Sequence, residues 1–287
     1  MGSWKTRSLI AGACVLAVPG IVLAQDGGAP AVDPAIVRAE PIVGEKIGVS
    51  LGYDYASHFM LYGADVWGAG NDFFSSRSTN FVWVDVAVDL APFTLNFGAW
   101  SDINDNADSG LGGAIQEVDV YVGLSYTIER FTLGVTYQEW YYGGDEERVV
   151  DLSVAFDDSD LLFDGFAFNP AFLAHLRVDG ASGQEEAEAF VFSIEPAFQL
   201  TEGEYALTLS IPAGVGFFTD EFNGGDDGFG YAYVGATLSV PLAFIPAEYG
   251  EWSAAVNLTY YFTDDDAIPG NPDDDFLTGT LSISTSF

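Results

Sequence analysis

From Lys46 to the last residue, apolar and polar positions alternate with a period of two. Ile47, Val49, Leu51, Tyr53 and Tyr55 fall on one parity, and Lys46, Gly48, Ser50, Gly52 and Asp54 on the other. That is the signature of a half-buried strand, not of a helix. The pattern returns along the chain. Val82, Val84, Val86, Val88 and Leu90 oppose Trp83, Asp85, Ala87 and Asp89, and Phe93, Leu95, Phe97 and Ala99 oppose Thr94, Asn96, Gly98 and Trp100. Val118, Val120, Val122, Leu124 and Tyr126 oppose Asp119, Tyr121, Gly123 and Ser125, and Phe131, Leu133, Val135 and Tyr137 oppose Thr132, Gly134, Thr136 and Gln138. Seven more strands are predicted over 148–156, 166–178, 188–200, 205–217, 230–242, 251–262 and 276–287, with Pro170 interrupting the first long one. The total is twelve, an even number.

The gaps between these strands alternate between long and short, with exceptions in the middle of the chain. Outer-membrane barrels have long external loops, short internal turns and both chain ends on the internal side. Twelve strands place every odd gap outside, which matches the longer set. A β-sandwich would satisfy the same alternation by burying its apolar face against a second sheet. Three features favour the closed antiparallel up-and-down transmembrane β-barrel. The strands run to nine to thirteen residues. Tyr53, Tyr55, Tyr126, Phe131, Trp252, Tyr260 and Phe262 fall where interfacial girdles belong. The chain also closes on an alternating strand, 276–287, whose last residue is Phe287. That ending resembles the segment that the barrel-assembly machinery reads in outer-membrane proteins, so the machinery is an expected partner, along with outer-membrane lipid and lipopolysaccharide.

Ahead of the barrel, residues 1–24 read as a secretory signal peptide: Lys5 and Arg7, an apolar run from Leu9 to Val18, a Pro19-Gly20 break, and Val22-Leu23-Ala24 before Gln25. The run is too short to span a bilayer, and Ala11-Gly12-Ala13 before Cys14 lacks the large apolar residue of a lipobox. Residues 25–45, with Gly27, Gly28, Pro30, Pro34 and Pro41, read as a flexible leader. The domain reading is therefore signal peptide, leader and a barrel over 46–287, placed in a Gram-negative outer membrane.

Charge narrows the function. The 287 residues carry 43 acids against eight bases, a net charge of −35. No nucleic-acid partner is expected, because nothing here could neutralise a run of phosphates. Cleavage would remove Lys5, Arg7 and Cys14, leaving six bases and no cysteine. An exported chain without cysteine has no disulfide to hold it.

At the hairpin 117–141 a family resemblance appears. Glu117-Val-Asp119-Val-Tyr121-Val-Gly123-Leu-Ser-Tyr126 and Phe131-Thr-Leu-Gly134-Val-Thr-Tyr137-Gln-Glu-Trp140-Tyr141 resemble the matching hairpin of the TorF-like porin family of proteobacterial outer-membrane barrels. The opening strand and turn, Tyr53-Asp-Tyr-Ala-Ser-His-Phe-Met-Leu-Tyr-Gly63, are similar in placement, although the family's Arg-Gly pair is here Tyr62-Gly63. The resemblance covers about half of the mature chain. It implies a barrel and pore activity, and it carries over no catalytic residue.

Candidate chemistry is sparse. The two histidines, His58 and His175, lack the Ser two residues away that an outer-membrane phospholipase of this strand number uses. No enzymatic activity, cofactor or His/Cys metal site is expected, although a Ser-His-Asp site assembled from distant strands stays open. Acidic loops, including Asp264–Asp266, Asp273–Asp275 and the group Asp220, Glu221, Asn223, Asp226 and Asp227, are solvated surface or divalent-cation ligands. The polar strand faces carry Asp85, Asp89, Asp119, Asp151 and Glu195, with Lys46 and Arg177 as the few bases. In an open lumen such carboxylates favour cations; in a plugged one they pair with Lys and Arg. The sequence thus implies a channel for cations or small polar solutes, or else a structural or adhesive surface barrel with cation-binding loops.

Overall fold

The computed structural model describes residues 46–162, 166–181 and 184–287. The predicted signal peptide and leader lie outside the described residues. Sixteen strands follow in chain order: β1 (Ile47–Ala56), β2 (Met60–Leu61), β3 (Ala64–Asp65), β4 (Thr79–Leu90), β5 (Phe93–Ile103), β6 (Ile115–Ile128), β7 (Phe131–Tyr142) and β8 (Asp145–Phe156), then β9 (Ala171–Asp179), β10 (Ala187–Ile194), β11 (Ala197–Gln199), β12 (Thr208–Ser210), β13 (Ala213–Phe218), β14 (Gly228–Pro241), β15 (Glu251–Thr263) and β16 (Asp275–Ser286). β2 and β3 form a separate hairpin. The other fourteen make one antiparallel sheet that closes on itself through β1–β16 and β14–β15.

Two staves are each built from two pieces. β10 and β11 are interrupted at Glu195–Pro196, and β12 and β13 at Ile211–Pro212. Proline has no N–H to give to a ladder, so the strand breaks there. Counting each broken pair once gives twelve staves, the predicted number. The stave expected over 166–178 begins later, at Ala171, because Pro170 precedes it. The closing strand is fully paired, and Phe287 exchanges both backbone bonds with Val49 at 2.9 and 3.1 Å.

Closure gives the barrel two ends. Lys46 and Phe287 lie at the near end, with connections 91–92, 129–130, 157–170, 200–207 and 242–250. The far end carries 57–78 (L1), 104–114, 143–144, 180–186 (L4), 219–227 (L5) and 264–274 (L6). L1 is the longest connection, but 157–170 at the near end exceeds the other far ones, so the expected alternation of lengths holds only in part, and the shortest far connection is the two-residue turn at Gly143–Gly144. Both of its glycines have positive φ, 60° and 87°, a conformation that side chains with a Cβ rarely adopt.

The faces follow the alternation. Outward residues are apolar and exposed: Val82 is 44% exposed, Val122 47% and Val135 43%. Such a continuous apolar exterior is not a surface that water tolerates. Aromatic pairs rim it at the near end, where Phe93 packs on Tyr126 and Phe131 on Phe156, and Tyr260 packs on Phe262 at the far end. Among the described residues, no helix is long and apolar enough to cross a membrane. The inward face alternates glycine with large rings. A Cβ at Gly52 would overlap the Trp83 ring, so that indole can lie flat on the wall and donate to Asp54 Oδ2 at 3.1 Å.

Candidate functional site, a charged lumen crossed by a hairpin

The inward parity of each stave decides what the lumen holds. Asp85 on β4, Asp119 on β6 and Asp151 on β8 all point inward, 0–2% exposed. Continuing the same parity toward the strand ends adds Asp54, Asp102, Glu117 and Glu147. Two cationic partners sit among these seven carboxylates: Arg177 and, when protonated, His175.

The structure separates the seven sequence candidates into three groups. Asp85, Asp119, Asp151 and Arg177 are buried in the lumen, Arg177 close to the far end of β9. Lys46 and Asp89 are at the near mouth: Lys46 is exposed, and Asp89 accepts from the Ala91 N–H at 2.8 Å, shaping the turn. Glu195 is half-buried at the break between β10 and β11, where its N–H donates to the Phe168 carbonyl at 2.8 Å. The candidates therefore do not form one ring.

Arg177 has a definite task. Its Nε donates to Glu147 Oε1 at 3.0 Å, its Nη1 donates to the Phe222 carbonyl at 3.1 Å, and its guanidinium lies 4.5 Å from the Phe222 ring centre. Glu147 also accepts from the Tyr142 hydroxyl at 2.6 Å. Loop L5 is thereby stapled to the inner wall.

Between the open and the plugged lumen that the sequence allows, the placement of L1 bears directly on the choice. After β1, the chain turns inward at Ser57–His58, where Ser57 Oγ lies 2.7 Å from His58 Nδ1, and His58 Nε2 lies 2.8 Å from the Gly70 carbonyl oxygen. Both side chains are buried, so this adjacent pair ties the root of the loop. The hairpin β2–β3 then descends into the barrel. Tyr62 and Gly63 form its tip, with φ of 47° and 80°.

At the tip, the Tyr62 hydroxyl lies 2.8 Å from His175 Nδ1, which is also 2.8 Å from Asp151 Oδ1. Gln138 donates to the other oxygen of Asp151 at 2.5 Å and accepts from the Trp140 indole at 3.0 Å. A polar chain thus runs from Trp140 through Gln138, Asp151 and His175 to Tyr62. Around it, the rings of Tyr62, Trp140, His175 and Phe222 are packed with centroids 4.4 to 5.6 Å apart. A Cβ at Gly63 would stand 2.6 Å from the Tyr231 ring, so only glycine lets the tip rest against it. On the opposite wall, Trp67 donates to Asp102 Oδ2 at 2.9 Å, and Asp102 also accepts from Thr79 and Asn104. Asn223 of L5 and Asn271 of L6 donate to the carbonyls of Tyr62 and Gly63 at 3.1 and 2.9 Å.

Asp65 on the hairpin accepts from the Gly70 N–H at 2.7 Å. Burial pushes its carboxyl above the ordinary carboxylate range, against the lowering effect of that bond and of His58.

The far rim is acidic. Asp264, Asp265 and Asp266 hold carboxylate oxygens within 4.8 Å of one another. Asp264 also accepts from the N–H groups of Asp266 and Ala267, which shapes L6. An open cleft of about 530 Å³ between L4 and L5 is lined by Glu185, Glu186, Glu188 and Asp220. Hard oxygen donors of this kind suit calcium or magnesium.

Fold and interior define a closed up-and-down antiparallel barrel of twelve staves with an apolar exterior, a charged interior and an inserted loop. No family model matches the sequence, and no curated protein matches it. Among solved structures the chain is similar to the COG4313 outer membrane channel from Pseudomonas putida F1, at 15% identity and a TM-score of 0.47 over 89% of this chain and 100% of that one. It is also similar to the NanC porin, at 9% identity and 0.45 over 84% and 98%. LpxR from Salmonella typhimurium gives 11% and 0.45 over 82% and 99%. Likeness of this degree says nothing of what this chain does. The barrel stands on its own strand register.

Proposed function

We propose that this protein is an outer-membrane channel of porin type, passing cations or small polar solutes. Its expected surroundings are outer-membrane lipid and lipopolysaccharide, and its expected assembly route is the barrel machinery acting on the strand that ends at Phe287. The membrane placement is supported by the exposed apolar exterior with aromatic rims. The observation that carries the selectivity is the inner charge balance: seven inward carboxylates against Arg177 and His175. An anion moving between low-dielectric walls meets like charge there with little screening, whereas a cation is concentrated.

The test is a reversal potential in a salt gradient across a planar bilayer, read on single openings. Cation preference is expected, and neutralising Asp85 and Asp119 together should reduce it more than neutralising Asp273, Asp274 and Asp275 on L6. A potential favouring chloride overturns the reading.

A second reading, a structural or adhesive surface barrel with divalent-cation-binding loops, is favoured by the side-chain packing around the hairpin tip toward the far end and by the Asp264–Asp266 group. It calls for a folded barrel that stays silent in the bilayer, with or without L1.

A further inference from the structure

We propose that the hairpin β2–β3 is the gate of this barrel, a plug that holds the lumen shut at rest and passes solute only when it lifts toward the far end. The proposal rests on the channel reading. Three observations carry it.

The first is where the hairpin is held. Its tip reaches β9 through Tyr62 and His175 and β14 through Gly63 and Tyr231, and Trp67, two residues past β3, extends the contact to β5 through Asp102. Around the ring these staves stand three, five and four steps apart. Contacts spread so evenly around the circumference mean that the hairpin crosses the lumen, and does not merely line one wall.

The second is how it is held. β2 and β3 pair with each other, and the wall is a separate sheet. The backbone bond from Ser57 N–H to the Gly279 carbonyl, at 2.8 Å, is at the root of the loop. Farther in, the hairpin is held through side chains: Trp67 donates to Asp102, Asn223 donates to the Tyr62 carbonyl, Asn271 donates to the Gly63 carbonyl and accepts from the Asp65 N–H, and the Tyr62–His175 contact and ring packing complete the hold. Lifting it breaks no stave pairing, so the barrel keeps its closed register while the plug moves. Gly63 meets Tyr231 with no side chain to catch on the ring.

The third is what it covers. Asp151 is tied through His175 to the tip, and Asp85 and Asp119 are buried within the same barrel. Carboxylates sealed from solvent contribute nothing to permeation. They become a cation path when Tyr62 leaves His175 and water enters.

The experiment compares wild-type protein with a variant in which residues 59–66 are replaced by a short glycine-serine link, both in planar bilayers. Folding is checked by gel mobility before and after boiling. The wild-type barrel is expected to be closed most of the time with rare openings. The variant is expected to raise the open fraction about tenfold or more. Steady wild-type conductance unchanged in the variant overturns the gate and leaves the channel reading standing. A variant that is folded but silent overturns the channel reading itself. Should the deletion not fold, Tyr62→Ala, which removes the ring against His175 and touches no stave, decides: an open fraction no higher than wild type overturns the gate.

Discussion

Val135→Arg places a charge at the middle of the outer face, and its cost separates a lipid-facing wall from a wet one. Val135 is outward on β7, 43% exposed, and paired with Leu124 on β6 and Leu152 on β8, which are outward too. It stands four residues from the outward Phe131 of the near rim and four from the outward, hydrogen-bonded Glu139. At about 3.4 Å per residue and a tilt near 40°, each interval is about 10 Å. Val135 therefore sits close to the centre of the apolar band, where arginine costs about 2–4 kcal/mol. Ile128→Arg is the control: Ile128 is similarly exposed at 48%, but it lies at the near rim, where the cost falls to about 0–1 kcal/mol. If water covered both positions, two exposed surface substitutions would each stay within about 0.5 kcal/mol. The assay is urea unfolding of the barrel reconstituted in lipid vesicles, followed by tryptophan fluorescence. Equal costs at the two positions would refute the lipid-facing register.

Other consequences follow from the interior. Arg177→Ala leaves Glu147 as a buried charge without its guanidinium partner and should cost about 3–5 kcal/mol in the same unfolding assay, whereas replacing both with apolar residues of similar volume should cost far less. Because burial raises the Asp65 carboxyl, the docked hairpin binds a proton that the free loop releases. Docking should therefore be strongest in the ordinary carboxylate range and weaken as pH rises through the raised value, seen as faster hydrogen exchange of the β2–β3 amides, and Asp65→Asn should flatten that dependence. Gly63→Ala adds a Cβ at a φ of 80° against the Tyr231 ring and should loosen the tip by about 1–2 kcal/mol, measured as increased exchange at Tyr62 and Gly63 with the barrel amides unchanged.

Much of the fold was legible because a barrel wall is a local pattern. Each stave declares its two faces by parity, so the outward Val84 and inward Asp85 of β4 could be read without knowing any partner. The same reading, carried farther along each strand, would have found Asp102, Glu117 and Glu147 beside Asp119 and Asp151. L1 was not legible. Its strands are two residues each, too short for any period, and its turn depends on positive φ at Tyr62, a residue that carries no turn signal of its own. The contact that seats it joins Tyr62 to His175, 113 residues away. What Arg177 does among the few lumen bases was hidden for the same reason: its partners, Glu147 and the Phe222 carbonyl, are 30 and 45 residues away on another stave and a loop.

The central claim is that the acidic interior conducts cations. It is tested most directly by the reversal potential of the hairpin-deleted barrel in a tenfold potassium chloride gradient, where the path stays open long enough to measure. The account predicts a potential displaced toward the potassium equilibrium value, more strongly at low salt, as a confined field in which carboxylates outnumber bases requires. A potential displaced toward the chloride value, or a folded barrel that passes no current, would contradict it.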